Sequence, residues 1–241
     1  MSTDPQIHRA REVLLNAQSV SVLTGAGISA ESGIPTFRDA GGIWENFDPE
    51  QVATPEAFAR DPGFVWKWYA DRMQQFRSSS PNRGHQSLAA LEDRISEFRL
   101  VTQNIDNLHQ LAGSRRITEL HGNIWRTRCL GCGRKATLSE VPSDLPPKCS
   151  ECGNMLRPDV VWFGEALETE NIQQAEAACH AEVFIVAGTS GEVWPAAGFV
   201  HQARSHGAFV IEVNTQRTVL SDVTNMSLMG PCGEVLPQII R

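Results

Sequence analysis

The sequence predicts an α/β protein: a doubly wound parallel sheet, interrupted by a small zinc ribbon and by a helical cap. Three observations lead there. Short β-rich runs alternate with helical patterns, as in parallel sheets covered by helices on both faces. Each run ends in a small or polar cluster, at the strand end where open parallel sheets bind ligands. Four cysteines then interrupt the alternation in two tight pairs.

The first strand, Val20-Ser-Val-Leu23, runs into Thr24-Gly-Ala-Gly27. The second, Phe98-Arg-Leu-Val-Thr102, runs into Gln103-Asn-Ile-Asp106. Val183-Phe-Ile-Val-Ala187 ends at Gly188-Thr-Ser190, and Phe209-Val-Ile-Glu-Val213 ends at Asn214. Helical patterns occupy 7–18, 85–95, 170–181 and 195–205. A further excursion over 30–81 holds Thr54-Pro55, an N-cap followed by Pro at the first helical position. It is expected to cap the strand ends. The 241 residues suit one large domain with an insert. The large domain is expected over 1–122 and 159–241, and the ribbon over 123–158.

Cys129/Cys132 and Cys149/Cys152 form C-x2-C-x16-C-x2-C. Each pair can place two thiolates on one metal from a turn, and the gap lets the second turn complete a tetrahedron. Gly131, Gly133 and Gly153 stand beside these sulfurs, where the chain must turn tightly. Four sulfur ligands leave no position for a reactive water, so the zinc is structural. The alternatives are two disulfides or four free thiols. Cys179 and Cys232 read as buried small hydrophobes.

Hydrophobic residues make up 41% of the chain and net charge is -7. That balance disfavours a nucleic-acid-binding ribbon, which needs a basic face. The first residues carry no signal or transit pattern, and no stretch has the length of a membrane span. The chain reads as cytoplasmic, with neither nucleic acid nor membrane as a partner.

Gly25-Ala-Gly27-Ile-Ser-Ala30 fits G-x-G-x-x-A directly after a strand, a turn that lets the backbone approach a pyrophosphate. A bare strand–helix turn explains it nearly as well. The acidic residue usual about twenty positions on is not evident. Instead Glu31-Ser-Gly-Ile-Pro-Thr-Phe-Arg38 brings a cation toward the cleft, suited to clamp a phosphate or ribose.

These motifs occur in order with Thr102-Gln-Asn-Ile-Asp106, His121-Gly122, the cysteine quartet, Gly188-Thr-Ser190 and Val213-Asn214. Together they resemble the sirtuin family of NAD-dependent protein-lysine deacylases, over nearly the whole chain. The resemblance implies a Rossmann-like large domain, NAD consumed as co-substrate, one structural zinc, and acylated lysine side chains of proteins as partners. It makes His121 the general base; a neutral imidazole can take a ribose hydroxyl proton near neutral pH. It sets Asn104 and Asp106 at the nicotinamide ribose and its pocket. Gln103 and Ile105 lie beside them, and Gly25, Ala26, Gly27, Arg38 and Gly188 at the cofactor. Thr189 and Ser190 would bind phosphate or ribose oxygens, Asn214 the adenosine ribose, and the Cys232 backbone the adenine. Asp106 also reads simply as a helix N-cap.

Tyr69 and Arg72 lie three residues apart on a predicted helix, hence on one side. Taken alone they read as a half-buried Tyr and a solvated Arg. This Tyr-x-x-Arg resembles the marker of class III sirtuins, which remove malonyl, succinyl and glutaryl groups. Ala40-Gly-Gly-Ile-Trp44 resembles the same group. So does Pro158-Asp-Val-Val-Trp-Phe-Gly-Glu165, where Val161, Trp162, Phe163 and Gly164 would pair with the substrate backbone. The competing readings are a plain deacetylase, mono-ADP-ribosyl transfer, and an NAD-sensing zinc-ribbon regulator.

Overall fold

The computed structural model describes residues 4–36, 42–43 and 48–240. Six parallel strands form the large sheet: β1 (Ser19–Thr24), β2 (Glu97–Thr102), β3 (Ile117–Glu119), β7 (Val183–Ala187), β8 (Phe209–Asn214) and β9 (Met226–Met229). Their spatial order is β3-β2-β1-β7-β8-β9, with every neighbouring pair parallel. Strand order therefore reverses between β1 and β7. That is the switch point at which open α/β sheets bind ligands.

The middle strands are buried along their length because helices cover both faces. On one face Val20, Val22, Ile185, Ile211 and Val213 pack with Ile7, Leu88 and Leu236. These last come from α1 (Pro5–Asn16), α5 (Arg83–Arg94) and α9 (Cys232–Ile239). On the other face Leu23, Phe184, Val186 and Val210 pack with Ala178 and Phe199, from α7 (Thr169–Ala178) and α8 (Ala196–Ser205). Strand β9 was not expected: Met226-Ser-Leu-Met229 is too short to display a period, and its pairing with β8 makes it a strand.

The G-x-G-x-x-A segment opens a 3₁₀ helix, Ala26–Ser32, rather than an α-helix. Gly33, at φ 82°, ends it in the left-handed region. Among the described residues the cap consists of α2 (Pro49–Val52), α3 (Pro55–Arg60) and α4 (Pro62–Arg77). Each begins with an oxygen-bearing side chain before Pro. Asp48 accepts from Glu50 N at 2.9 Å, Thr54 from Ala57 N at 3.1 Å and Asp61 from Phe64 N at 2.9 Å. Such a cap contributes about 1 kcal/mol, and Pro has no N–H to leave unpaired there.

A second, antiparallel sheet has the order β5-β4-β6, from β4 (Gly122–Cys129), β5 (Lys135–Thr137) and β6 (Leu156–Val160). It shares one core with the cap. Phe58, Val65, Trp66, Tyr69 and Met73 pack with Ile124, Val160 and Trp162, and Trp66 Nε1 donates to Leu156 O at 2.8 Å. The helices thus join the small module to the strand ends of the large sheet.

The four cysteine sulfurs lie within 4.8 Å of one another. Cys129 and Cys152 Sγ are 3.4 Å apart, and Cys132 and Cys149 Sγ 3.8 Å. A tetrahedron with Zn–S legs of about 2.3 Å has edges near 3.8 Å. The quartet therefore fits structural zinc in arrangement and donor type. Gly131 N donates to Cys129 Sγ at 3.3 Å, the kind of bond that stabilises a thiolate. Cys179 and Cys232 are buried elsewhere. Burial pushes each of their thiols up to about 12, which keeps them protonated and inert.

Because metal binding contributes directly to folding, Cys149→Ser is expected to lower thermal stability and zinc content together. A zinc-free protein that melts at the wild-type temperature would contradict a structural role.

Candidate active site

A cavity of about 930 Å³ runs along the carboxyl ends of β1, β2, β7 and β8 and passes under the small module. Its floor is made of glycines. A Cβ on Gly27 would lie 2.8 Å from Gly188 O, and one on Gly188, at φ 64°, would meet Ile28 N at 2.3 Å. Gly27 N donates to Gly188 O at 2.8 Å, and Gly25 N to Ala187 O at 3.1 Å. The loops after β1 and β7 are therefore in backbone-to-backbone contact, which no side chain would permit. Gly25, Ala26, Gly27, Gly188, Thr189 and Ser190 all line the cavity there.

The loop between β2 and the short helix α6 (Leu108–Leu111) supplies Gln103, Asn104 and Ile105. Asn104 is 7% exposed and donates through Nδ2 to Gly25 O at 3.1 Å and to Ser29 Oγ at 3.2 Å. Asp106 lies behind the wall. Its carboxylate accepts from Ser29 Oγ at 2.7 Å and from Leu108 N at 2.9 Å. Burial raises its pKa, while those two bonds act against the rise. The N-cap of the short helix Leu108–Leu111 is Asn107, not Asp106 as expected; Asp106 stands one residue earlier and still bonds Leu108 N while Ser29 links it to the cavity wall.

His121 follows β3 and lines the cavity. Its backbone is pinned from both sides: Leu120 N donates to Thr102 O at 2.9 Å, and Val161 N to His121 O at 2.9 Å. Gly122 is required next. It stands at φ 78°, and a Cβ there would lie 2.1 Å from Asp159 O. His121 Nδ1 is 3.0 Å from Gln103 O. A carbonyl can only accept, so Nδ1 carries the hydrogen and Nε2 keeps its lone pair. Burial holds the pKa below 6.5 despite that carbonyl, which favours the protonated ring. His121 is thus a neutral, oriented proton acceptor.

Tyr69, Val161, Trp162, Phe163 and Gly164 form the wall toward the small module. Tyr69 is 3% exposed, and its oxygen accepts from Trp162 Nε1 at 2.9 Å. Burial raises the phenol's pKa well above 10.0 against the effect of that bond. The Trp162 indole lies between Phe58, at 5.1 Å, and the Arg157 guanidinium, at 3.4 Å. Glu165 holds Arg157 through two bonds of 2.5 and 2.9 Å. Burial opposes the Glu165 charge, but Arg157 and Trp162 N outweigh it and hold the carboxyl below its ordinary value. Phe163 N donates to Ala53 O at 2.9 Å, so this stretch is partly paired within the chain. Arg72 stands one turn beyond Tyr69, outside the cavity lining, with its guanidinium 5.6 Å from the Trp68 ring. Its buried Nε has no hydrogen-bond partner among the described residues.

Asn214 and Cys232 line the far end. Asn214 donates to Thr189 O at 2.9 Å and accepts from Thr215 N at 2.9 Å. Arg38, Ala40, Gly41 and Trp44 lie outside the described residues.

A polar network behind the floor escaped the sequence reading. Thr24 Oγ1 donates to Thr102 Oγ1 at 2.8 Å and lies 2.9 Å from His109 Nε2. The His109 and His85 rings are 4.8 Å apart, and His85 reaches Ser29. Burial pushes His85 down to about 4 and His109 well below 6.5, so both are neutral. No local pattern marks these residues, because the fold alone brings them together.

Known proteins supply an independent comparison. The Sir2 family description matches residues 25–195. An NAD-dependent protein deacylase of Pyrobaculum aerophilum is 47% identical over 231 residues, 95% of this chain and 93% of that protein. Among solved structures, an ADP-ribose complex of a mutant Sir2 homologue has a TM-score of 0.94 and 41% identity over 100% of this chain and 96% of its own. An NAD complex of a Sir2 homologue has a TM-score of 0.92 and 42% identity over 100% and 93%. With the family matched over most of its length and near-half identity to a full-length relative, this chain belongs to the Sir2 family.

Proposed function

We propose that the protein is an NAD-dependent protein-lysine deacylase that favours acidic acyl groups: succinyl, malonyl and glutaryl. Membership of the Sir2 family supports the first half. In that reaction NAD is consumed, the acyl group passes from lysine to ADP-ribose, and nicotinamide leaves. The glycine floor would receive the pyrophosphate, Asn104 and Gln103 the nicotinamide ribose, and Asn214 the adenosine ribose. His121 Nε2 would take a ribose hydroxyl proton. The stretch from Val161 to Gly164 would hold the peptide. The reduced cysteine quartet suits a cytoplasmic setting.

One observation carries the acidic preference. Tyr69 and Arg72 present two donors from one side of α4, the phenol O–H and the Arg72 Nε–H, with no acceptor for either among the described residues. Trp162 already donates to the Tyr69 oxygen, so the phenol's own hydrogen must point elsewhere. Arg72 forms no ion pair, and its Nε is unpartnered, among the described residues. A buried guanidinium N–H without an acceptor is costly, and an entering carboxylate would satisfy it. A neutral acetyl group offers no charge to match.

Arg72→Met is therefore expected to lower kcat/KM on a succinyl-lysine peptide at least about tenfold, with acetyl-lysine turnover unchanged or improved. A charge-assisted bond of about 1.5–3 kcal/mol gives that scale. Tyr69→Phe should act in the same direction with a smaller loss. Equal losses on both peptides would mean that these residues only hold the helix.

His121→Ala should retain NAD binding, read by calorimetry, while deacylation falls about 10²–10⁴-fold. Turnover near the wild-type level would remove His121 from the mechanism.

The pH profile tests the same assignment. A base with a lowered pKa stays neutral through the neutral range and is lost only as pH falls through that value. The acid limb of kcat/KM should have its midpoint below 6.5, the ordinary value from which His121 is displaced. A midpoint above 7 would contradict a buried, neutral His121.

A further inference from the structure

The cavity wall beyond Asn214 is a loop, and a buried carboxylate holds it in place. Glu212 precedes Asn214 by two residues on β8, so both side chains leave the same face of the sheet. Glu212 is 1% exposed and pairs with no cation among the described residues. Three hydroxyls surround it instead. Oε1 accepts from Thr218 Oγ1 at 2.6 Å, and Oε2 accepts from Ser221 Oγ and Ser227 Oγ, each at 2.6 Å. Two of these hydroxyl oxygens accept from the loop's backbone: Thr218 N donates to Ser221 Oγ at 2.9 Å, and Leu220 N to Thr218 Oγ1 at 3.1 Å. One carboxylate therefore ties the middle of the loop to β8 and to β9. The segment between Asn214 and this anchor, 215–219, lines the cavity throughout.

We infer that Glu212 is a positioning residue for NAD: it sets loop 215–219 where the adenosine end of the dinucleotide binds. The inference rests on the proposed assignment of Asn214 to the adenosine ribose. The chemistry calls for an ionised carboxylate. Only an acceptor-only group can take three hydroxyl donors and leave the Thr218 and Ser221 oxygens free to receive backbone N–H groups. Gln would turn an NH₂ toward at least one hydroxyl and force it to reverse. Glu212 itself does not line the cavity, so its effect is transmitted through the loop.

The test measures kcat, KM for NAD, KM for acyl-peptide and melting temperature for Glu212→Ala, Glu212→Gln and Asn214→Ala in the full chain. Glu212→Ala should raise KM for NAD about tenfold or more, with kcat at saturating NAD and peptide KM within about twofold. Glu212→Gln, which keeps the shape and one acceptor, should raise it about threefold. Asn214→Ala should also raise it. If both Glu212 variants keep KM for NAD within about twofold while Asn214→Ala raises it, Glu212 is only structural and the inference falls alone, whatever the melting temperature shows. If Asn214→Ala leaves KM for NAD unchanged, the cofactor assignment falls and the inference with it. Should Glu212→Ala fail to fold, the Gln variant decides by the same criterion.

Discussion

The contact between the loops after β1 and β7 sets the rest of the site. Gly27 and Gly188 touch backbone to backbone at the point where strand order reverses, with a 2.8 Å hydrogen bond between them. Any Cβ there would collide with main-chain atoms. The approach brings the ends of β1 and β7 close enough for one cavity to be lined from both. It also places Gly25 O within 3.1 Å of the Asn104 amide, so the loop after β2 is positioned by the loop after β1. Replacing these glycines would separate the walls rather than remove a single ligand contact.

Around that floor the protein keeps its titratable groups neutral or internally paired. His121 donates Nδ1–H to a main-chain carbonyl, and burial lowers its pKa. His85 and His109 are buried and neutral behind it. Asp106 is bonded to Ser29 and Leu108 N. Arg72 is a charged group in this setting, and its buried Nε, like the Nδ1 of neutral His109, has no hydrogen-bond partner among the described residues. The proposed acyl preference rests on this cation standing one helical turn from a phenol whose oxygen has already accepted a bond. The indole that donates to that phenol packs against the Arg157 guanidinium, which Glu165 holds in turn.

The sheet was legible in the sequence because fully buried parallel strands are short apolar runs with polar ends. Val183–Ala187 and Phe209–Asn214 show this plainly. Strand β9 was not legible, since four residues carry no period and its pairing is long-range. The helix starts at Asp48-Pro49 and Asp61-Pro62 carry the same signal as Thr54-Pro55 and could have been found by it. His121 stood out through its glycine, and the structure supplies the reason in the carbonyl of Asp159. The network of Thr24, Thr102, His85 and His109 had no such mark. Its members come from four elements, with Thr24 and His109 85 positions apart, and only tertiary packing joins them. Glu212 was hidden for the same reason, inside a strand whose neighbours are apolar.

The central claim is that an unmatched cation beside Tyr69 selects the acyl group. It is tested most directly on the unmodified protein with peptides of one sequence bearing acetyl-, malonyl- or succinyl-lysine, with NAD present, by following nicotinamide release and the acyl-ADP-ribose product. The account predicts higher kcat/KM for the two acidic peptides by at least about tenfold, the scale of one charge-assisted hydrogen bond. Equal efficiency on all three, or a preference for acetyl, would contradict it.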